Sequence, residues 1–349
     1  MKLAIGVQGG EDWESISSYV IEAERLGVDT VWCPELWGYD AVTPLAYLAG
    51  KTSRIKLGTG IMQAGTRTPA LVAMTAMTLA AMSGDRFLLG LGTSGPQVIE
   101  GWHGIRFDRP VTRMREIIEI VRKVVAGERV VHKGKVYELP LPGGEGKALV
   151  SGAKARAPIP VYLATLGPKS LEMTGEVADG WLGTSFVPEH AEVFTAALAR
   201  GAARSGRTLA DLDLQAGGAV AFGDDLDTLV APRKPGLVFT LGAMGSRAHN
   251  FYNAAYQRAG YDELAKRVQD LWFERRRDEA ISLIPDELVL QTNLLGTGAM
   301  VKDRIRAYRD AGITTLRVQP EAATLAARIE TLGRVAMLAR EVGEERVAV

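Results

Sequence analysis

The chain has 349 residues, of which 41 are Lys or Arg and 41 are Asp or Glu, so its formal net charge is zero. Hydrophobic residues make up 47% of the chain and charged residues 23%, as in ordinary globular proteins. Without net charge there is no long-range field to attract nucleic acid or an anionic membrane, and we expect neither as a partner. The chain has a single Cys. Its sequence shows neither the apolar start of a signal peptide nor the ~20-residue apolar run of a membrane span. These features predict a cytoplasmic protein.

Short apolar runs alternate with amphipathic segments along the first third of the chain, which predicts strand and helix units that build a parallel sheet. Asp12 and Thr68 are candidate N-caps of two helices, and Gly27 is a candidate stop. The predicted strands are 2–7, 29–33, 55–61 and 86–91, and the predicted helices are 13–27, 42–49, 69–82 and 114–125.

The second half continues the alternation but is interrupted twice. Residues 128–139 predict a hairpin followed by a loop at 140–158, and residues 226–290 carry mainly helical patterns. The remaining predicted strands are 159–164, 180–184, 212–222 and 315–318, and the helices are 169–177, 191–204, 303–311 and 322–338.

Eight predicted strands, nearly all followed by a helix, indicate an α/β fold of the (β/α)8 TIM-barrel type. We expect one domain, with insertions near 128–158 and 226–290. An open doubly wound sheet is the alternative, but that fold would carry a Gly-rich turn after its first strand, and this sequence has none there.

A Gly-rich turn follows the fourth predicted strand instead. Residues 90–95 fit the G-x-G-x-x-G pattern, and Glu116 lies about 20 residues further on, as in a dinucleotide-binding fingerprint. We reject this interpretation, because the pattern follows the wrong strand and no strand ends near Glu116. The glycines still predict that the backbone there can approach a bound ring or phosphate closely.

The segment from Thr165 to Lys169 lies where the fifth strand turns into its helix. Pro168 at the first helical position leaves the amides of Lys169 and Ser170 free, and with the helix dipole and the Lys169 charge these predict an anion site. Ordinary loop chemistry explains the same residues equally well.

Two glycines, Gly58 and Gly60, lie inside the third predicted strand. Glycine weakens a strand, so it usually marks a bulge or a close backbone approach. A ligand lying flat against the strand would account for both, and so would a tight barrel corner.

Other candidate chemical groups are few. Cys33 is interpreted as a small buried residue. Glu35 lies on the predicted catalytic rim, where a carboxylate could relay a proton or hydrogen-bond a ring. A salt bridge that serves only the fold is the alternative for Glu35. No metal site is predicted, because the four histidines show no ligand spacing: His103, His132, His190 and His249.

Several segments together resemble the bacterial luciferase-like monooxygenase superfamily, and within it the branch of oxidoreductases that use the deazaflavin coenzyme F420. The matching segments cover nearly the whole chain: 32–35 with Asp40, 54–61 with 67–69, 84–96, 101–104 and 160–180.

The resemblance implies that a (β/α)8 barrel holds the coenzyme ring at its carboxyl end and transfers a hydride to or from a small organic substrate. It implies a non-prolyl cis peptide at Gly60–Ile61 behind the ring, and Ser94 near the ring or its linker. The coenzyme phosphate would lie on Thr165, Leu166, Gly167 and Lys169. Glu35 aligns with a polar rim position, and relatives commonly form homodimers.

Two alternatives remain open at this point. The same barrel with flavin mononucleotide (FMN) supports monooxygenation, and a non-catalytic coenzyme-binding protein would keep the pocket without the chemistry. Five aromatic residues of the second insertion either close over the substrate or form a helical core: Phe239, Phe251, Tyr252, Tyr256 and Trp272.

Overall fold

The structure is a computed structural model that describes residues 1–7, 12–247 and 249–345. Its centre is a closed barrel of eight parallel strands, in which each strand pairs with the next along the chain and the last pairs with the first. The strands are β1 (Lys2–Gly6), β2 (Thr30–Cys33), β3 (Lys56–Thr59), β4 (Phe87–Gly92), β5 (Val161–Ala164), β6 (Gly180–Leu182), β7 (Asp213–Phe222) and β8 (Thr315–Pro320). The predicted (β/α)8 barrel is confirmed.

Helices surround the barrel, one after each strand except that β7 is followed by the helical insertion. They are α1 (Trp13–Arg25), α2 (Val42–Ala49), α3 (Pro69–Ser83), α4 (Pro110–Val125), α5 (Pro168–Val177), α6 (Glu192–Arg204), α7 (Gly298–Asp310) and α8 (Leu325–Glu344). Asp12 and Thr68 cap α1 and α3 as predicted, by accepting hydrogen bonds from the amides of Ser15 and Leu71. Among the residues that the structure describes, no helix has the length and apolar character needed to cross a bilayer.

The first interruption is a small antiparallel hairpin of His132–Lys133 and Glu138–Leu139. It is held by Glu116 on α4, whose carboxylate accepts hydrogen bonds from three successive hairpin amides, the shortest of 2.7 Å from Lys135. These bonds hold the pKa of Glu116 below its usual value although burial alone would raise it. Glu116 therefore has a structural role, which agrees with our rejection of the dinucleotide fingerprint.

The second interruption is a group of helices with its own apolar core, in which Tyr256 is buried and Trp272 meets Phe239 edge to face at 5.8 Å. The core alternative is therefore correct for Tyr256 and Trp272, whereas Phe239 is 42% exposed at the edge of this core. The helices longer than one turn are Leu226–Val230, Lys234–Gly242, Phe251–Tyr256, Asp262–Phe273, Arg277–Ser282 and Asp286–Thr292. That both interruptions are insertions within one domain stays a prediction.

The ends of some elements differ from the prediction. α7 begins at Gly298, five residues early, because the Thr297 side chain caps it by accepting from the Met300 amide. A short strand at Leu294–Gly296, which we did not predict, pairs in parallel with the end of β7.

A polar network closes the lower part of the barrel interior. The Trp32 indole donates to Gln215 at 2.9 Å, and Gln215 donates to Asp213 at 2.8 Å. Asp213 also accepts from the hydroxyls of Tyr162 at 3.0 Å and Thr315 at 2.7 Å. Burial would raise the pKa of Asp213, but these hydrogen bonds hold it below its usual value. The charge of Asp213 is thus satisfied within the barrel.

The glycines of β3 and β4 make room for Trp32. A Cβ atom on Gly58 would overlap the six-membered ring of Trp32, and one on Gly60 would lie 2.7 Å from the Trp32 Cβ. A Cβ on Gly90 would overlap the carbonyl oxygen of Thr59. A ligand cannot occupy the positions that Cβ atoms on these glycines would take, because protein atoms fill them. Our interpretation that these glycines leave room for a ligand is therefore wrong for that space.

This packing predicts that Gly90→Ala destabilises the protein strongly. The added methyl group meets the backbone of β3, which cannot rotate away as a side chain would, so we expect a loss of about 3 kcal/mol in the free energy of unfolding. Urea denaturation measures it. Gly95→Ala is the control, because its Cβ would lie 3.5 Å from a flexible Gln97 side chain; equal stability of both variants would contradict the packing account.

Candidate active site

The predicted coenzyme residues lie at the carboxyl ends of three neighbouring strands. Ile61 follows β3, Ser94 follows β4 and Gly167 follows β5, and these strands pair in that order. Because parallel strands end on the same side of a barrel, the three residues share one rim. This is the rim on which TIM-barrel enzymes carry their active sites.

An apolar floor lies at this end of the barrel interior. Ile61 and Ala164 pack on the inner cluster that contains Trp32, and both keep part of their surface exposed. Gly92 has no side chain where Ile61 lies: a Cβ there would be 2.7 Å from the Ile61 Cγ1. The Gly60–Ile61 peptide bond is cis, as the family resemblance implies.

The floor is open on one side. Gly6, at the end of β1, is exposed, and no atom of the described residues lies within 4 Å of the position that its Cβ would take. Since side chains alternate along a strand, Gly6 is on the same inner face as Ala4, which belongs to the inner cluster. A planar ligand can therefore lie on Ile61 and Ala164 and extend towards β1.

The start of α5 has the features of an anion site. Pro168 is its first residue, and the N-cap Gly167 offers no side-chain cap, so the amides of Lys169 and Ser170 stay free of a capping side chain. Lys169 is exposed beside them. Leu166 and Gly167 are partly exposed, so their backbone is accessible to a ligand.

Thr165 differs from the other members of this loop. It is buried, its hydroxyl shares a 2.8 Å hydrogen bond with Thr174, and its carbonyl accepts from the Trp181 indole at 3.0 Å. These contacts tie β5 to α5 and β6. The Thr165 side chain thus positions the loop, and contact between its hydroxyl and a phosphate has no support in this geometry.

Arg258 is a further cation at the same loop, which the sequence analysis missed. It belongs to the helical insertion, and its guanidinium donates to the carbonyl oxygen of Leu166 at 2.6 Å. Desolvation lowers its pKa, and within the described ranges no carboxylate forms an ion pair with it. Nothing in the sequence distinguishes this arginine from its neighbours, because the contact joins segments 92 residues apart.

Glu35 forms the salt bridge that the sequence left open as an alternative to a proton relay. Its two carboxylate oxygens accept from the two terminal nitrogens of Arg67 at 2.6 and 2.8 Å, and also from the amides of Gln63 and Ala41. The Glu35 amide itself donates to the carbonyl oxygen of Ile61 at 3.2 Å. Glu35 thus holds the segment that carries Ile61, and its oxygens have protein partners on all sides.

Ser94 has a side-chain hydroxyl that is uncommitted. It is partly exposed, its φ of 56° is in the left-handed region, and in the part of the chain that the structure describes its hydroxyl makes no hydrogen bond. The left-handed turn directs the chain from β4 over the rim. A hydroxyl so placed can bind a ligand at the mouth.

Other candidate chemistry is absent from this site. Cys33 is buried, and desolvation raises the pKa of its thiol to about 12, as expected for a small buried residue and not for a nucleophile. No group of three or more His, Cys, Asp or Glu side chains in the described residues is placed to hold a metal ion.

A groove of about 650 Å³ lies at the opposite, amino-terminal end of the barrel. Its acidic residues serve the fold: Glu24 accepts from the amides of Ser53, Arg54 and Ile55, which bring its pKa to about 2 although burial alone would raise it. Asp29 pairs with Lys56 at 3.2 Å. Both carboxylates of the groove are therefore committed to protein partners.

Comparison with known proteins identifies the family of the chain. The family model for luciferase-like monooxygenases matches residues 2–315. A Mycobacterium tuberculosis protein named "Putative coenzyme F420-dependent oxidoreductase" is 40% identical over 90% of this chain and 93% of its own length. The 5,10-methylenetetrahydromethanopterin reductase of Methanolobus tindarius is 31% identical over 86% and 88% of the two chains.

The solved structures agree on the fold. The coenzyme F420-dependent tetrahydromethanopterin reductase of Methanopyrus kandleri superposes with a TM-score of 0.79, covering 95% of this chain and 97% of its own at 24% identity. At that identity the likeness establishes the barrel alone.

The Glu35–Arg67 pair predicts that Arg67→Met costs about 3 kcal/mol of unfolding free energy, because it leaves a buried carboxylate without its counterion. The double variant Glu35→Gln/Arg67→Met should recover part of the loss, since no buried charge remains. Urea denaturation of the four proteins gives the coupling energy. Additive losses would show that the two side chains do not interact.

Proposed function

The chain belongs to the luciferase-like monooxygenase family, and we propose that it is an oxidoreductase that uses coenzyme F420. The observation that carries the proposal is the combination, on neighbouring strand ends, of an apolar floor and an anion site with two cations. A coenzyme with a planar ring and a phosphorylated side chain matches both. The 40% identity to a relative named for this coenzyme supports F420 over FMN.

Different residues would bind different parts of the coenzyme. Ile61 and Ala164 would lie under the ring and exclude water from that face, and Ser94 would contact the ring or its linker. The amides of Lys169 and Ser170 would bind the phosphate. The side chains of Lys169 and Arg258 would add charge at the same place, with Leu166 and Gly167 as the surrounding backbone.

When bound, the deazaflavin supplies a ring carbon that gives or accepts a hydride from a small organic substrate. The described residues contribute binding and orientation to that step. Glu35 is assigned as a positioning residue, because its carboxylate is fully used by Arg67 and by backbone amides. This replaces the role in proton transfer that we expected from its place on the rim.

We also propose that the protein is a homodimer through α3. The sequence of this helix contains no charged residue, and while one side packs on the barrel, the other exposes large apolar side chains: Leu71, Met74 and Met82. A helix that is apolar on all sides is normally covered. A second copy of the chain would cover it through the same face.

Coenzyme binding tests the proposed function. We expect F420 to bind the wild-type protein more tightly than FMN does, and Lys169→Met and Arg258→Met each to weaken F420 about tenfold, since each removes a charge-assisted contact. Fluorescence titration measures both. Lys51→Met, which removes an exposed charge at the end of α2, should bind as the wild type does.

Tight binding of FMN alone would instead place the protein with the monooxygenases. If F420 binds but no panel of alcohols, pterins or unsaturated carbonyl compounds changes its redox state, the protein is a non-catalytic binder and the proposed activity is wrong.

The dimer is tested by Met74→Glu, which puts a charge in the centre of the apolar face and should yield monomers in sedimentation velocity. Met337→Glu on α8 is the matched control, because the two methionines are similarly exposed, 57% and 54%. A monomeric wild type, or a dimer in both variants, would contradict the proposal.

A further inference from the structure

Arg317 on β8 directs its side chain into the barrel. Its neighbours Leu316 and Val318 belong to the outer core, and its partner on β1 is Ala4, a member of the inner cluster. The guanidinium reaches the carbonyl oxygen of Gly183, beyond the end of β6, at 3.4 Å. It crosses β7 opposite Gly217, where no side chain stands in its path.

In the part of the chain that the structure describes, the charge of Arg317 has no counterion. No carboxylate among the described residues lies within ion-pair distance of its guanidinium, and its one hydrogen bond is the long contact with Gly183. The acid inside the barrel, Asp213, is committed to Thr314, Thr315, Gln215 and Tyr162. Desolvation accordingly lowers the pKa of Arg317.

Three other enclosed arginines have partners. Arg67 pairs with Glu35, Arg113 pairs with Asp108, and Arg86 donates to three backbone carbonyl groups near the start of β3 as well as to its own turn. A cation that is partly removed from solvent and has no such partner loses hydration without a compensating charge. Groups of this kind concentrate at functional sites.

The position of Arg317 is enclosed but open to solvent. Desolvation is the main influence on the pKa values of both Arg317 and Tyr252, an insertion residue on which the Arg317 charge acts, yet both residues keep part of their surface exposed. Next to β8 in the barrel is β1, whose Gly6 is exposed and has no described atom within 4 Å of its Cβ position. Arg317 thus lies towards the barrel mouth with part of its surface open to solvent.

We propose that Arg317 binds an anionic group of the substrate, a carboxylate or a phosphate, and so restricts the substrates to anions. The planar guanidinium offers two parallel N–H donors that match either group. The assignment of this anion to a substrate rests on the proposed function, because that function places the coenzyme on Ile61 and Ala164 and leaves the space beside β1 and β8 for the molecule that reacts.

Isothermal titration of the protein loaded with oxidised F420 tests this. The probes are crotonate, its uncharged analogue crotonamide, and inorganic phosphate, and the proteins are the wild type, Arg317→Met and the control Arg25→Met. Arg25 is an exposed arginine on the outer helix α1, so its loss changes the net charge equally. Without a reduced coenzyme the probes bind but do not react.

We expect at least one anion to bind the wild type and the control alike, and to bind Arg317→Met at least tenfold more weakly. Crotonamide should not distinguish the three proteins. Whether crotonate or phosphate binds more tightly identifies the anion. The melting temperature of Arg317→Met should equal or exceed that of the wild type, since the variant removes a desolvated charge; a purely structural arginine would lower it.

The proposal is overturned if neither anion binds the wild type, or if an anion binds Arg317→Met as tightly as it binds the wild type. It is also overturned if Arg317→Met loses F420 affinity by about the factor expected for the anion, because Arg317 would then be a coenzyme ligand. Repeating the anion titrations without coenzyme separates the two proposals. If the wild type does not bind F420 but the anion results hold, the proposed function fails and Arg317 remains an anion site.

Discussion

The space around the Trp32 indole is the constraint on which the barrel mouth depends. The indole lies on the inner face of the barrel, where Gly58 and Gly60 leave room for it, and its nitrogen is tied to Gln215 and through it to Asp213. Trp32 fills this layer together with Leu88, Tyr162 and Leu182. Because protein interiors tolerate neither overlap nor large voids, the residues above it are set at a defined height. Ile61 and Ala164 form that next layer, and their upper surface is the floor of the mouth.

Charge is distributed unequally between the inside of this protein and its mouth. Enclosed ionic groups that serve the fold are paired or hydrogen-bonded, as Glu35, Glu116 and Asp213 are. Arg258 and Arg317, both from the second half of the chain, lack a carboxylate partner in the described structure and lie near the open end. For Arg317, which is only partly exposed, the lack of a partner has a cost, since its charge loses hydration without a compensating carboxylate. Binding of anionic ligands is the physical reason we assign to that arrangement.

Much of the fold could be predicted from periodicity and capping residues. Asp12 and Thr68 mark helix starts by local chemistry, and the strand and helix alternation specifies the barrel, because both depend on neighbours in the sequence. Gly58 and Gly60 were recognised as special positions, but their partner was misassigned, since it is the pairing of β2 with β3 that places Trp32 over them. The role of Glu35 stayed undecided for the same reason, since its partner Arg67 lies on another segment. Arg258 and Arg317 carry no local signal, because the contacts that define them join segments 92 and 134 residues apart.

A crystal structure of the protein with coenzyme F420 would show whether one rim holds both the ring, on an apolar floor, and the phosphate, at the start of a helix. We predict that the ring makes van der Waals contact with Ile61 and Ala164, and that phosphate oxygens lie within hydrogen-bond distance of the Lys169 and Ser170 amides. A coenzyme bound at another end of the barrel, or at the mouth with its phosphate turned away from α5, would contradict it.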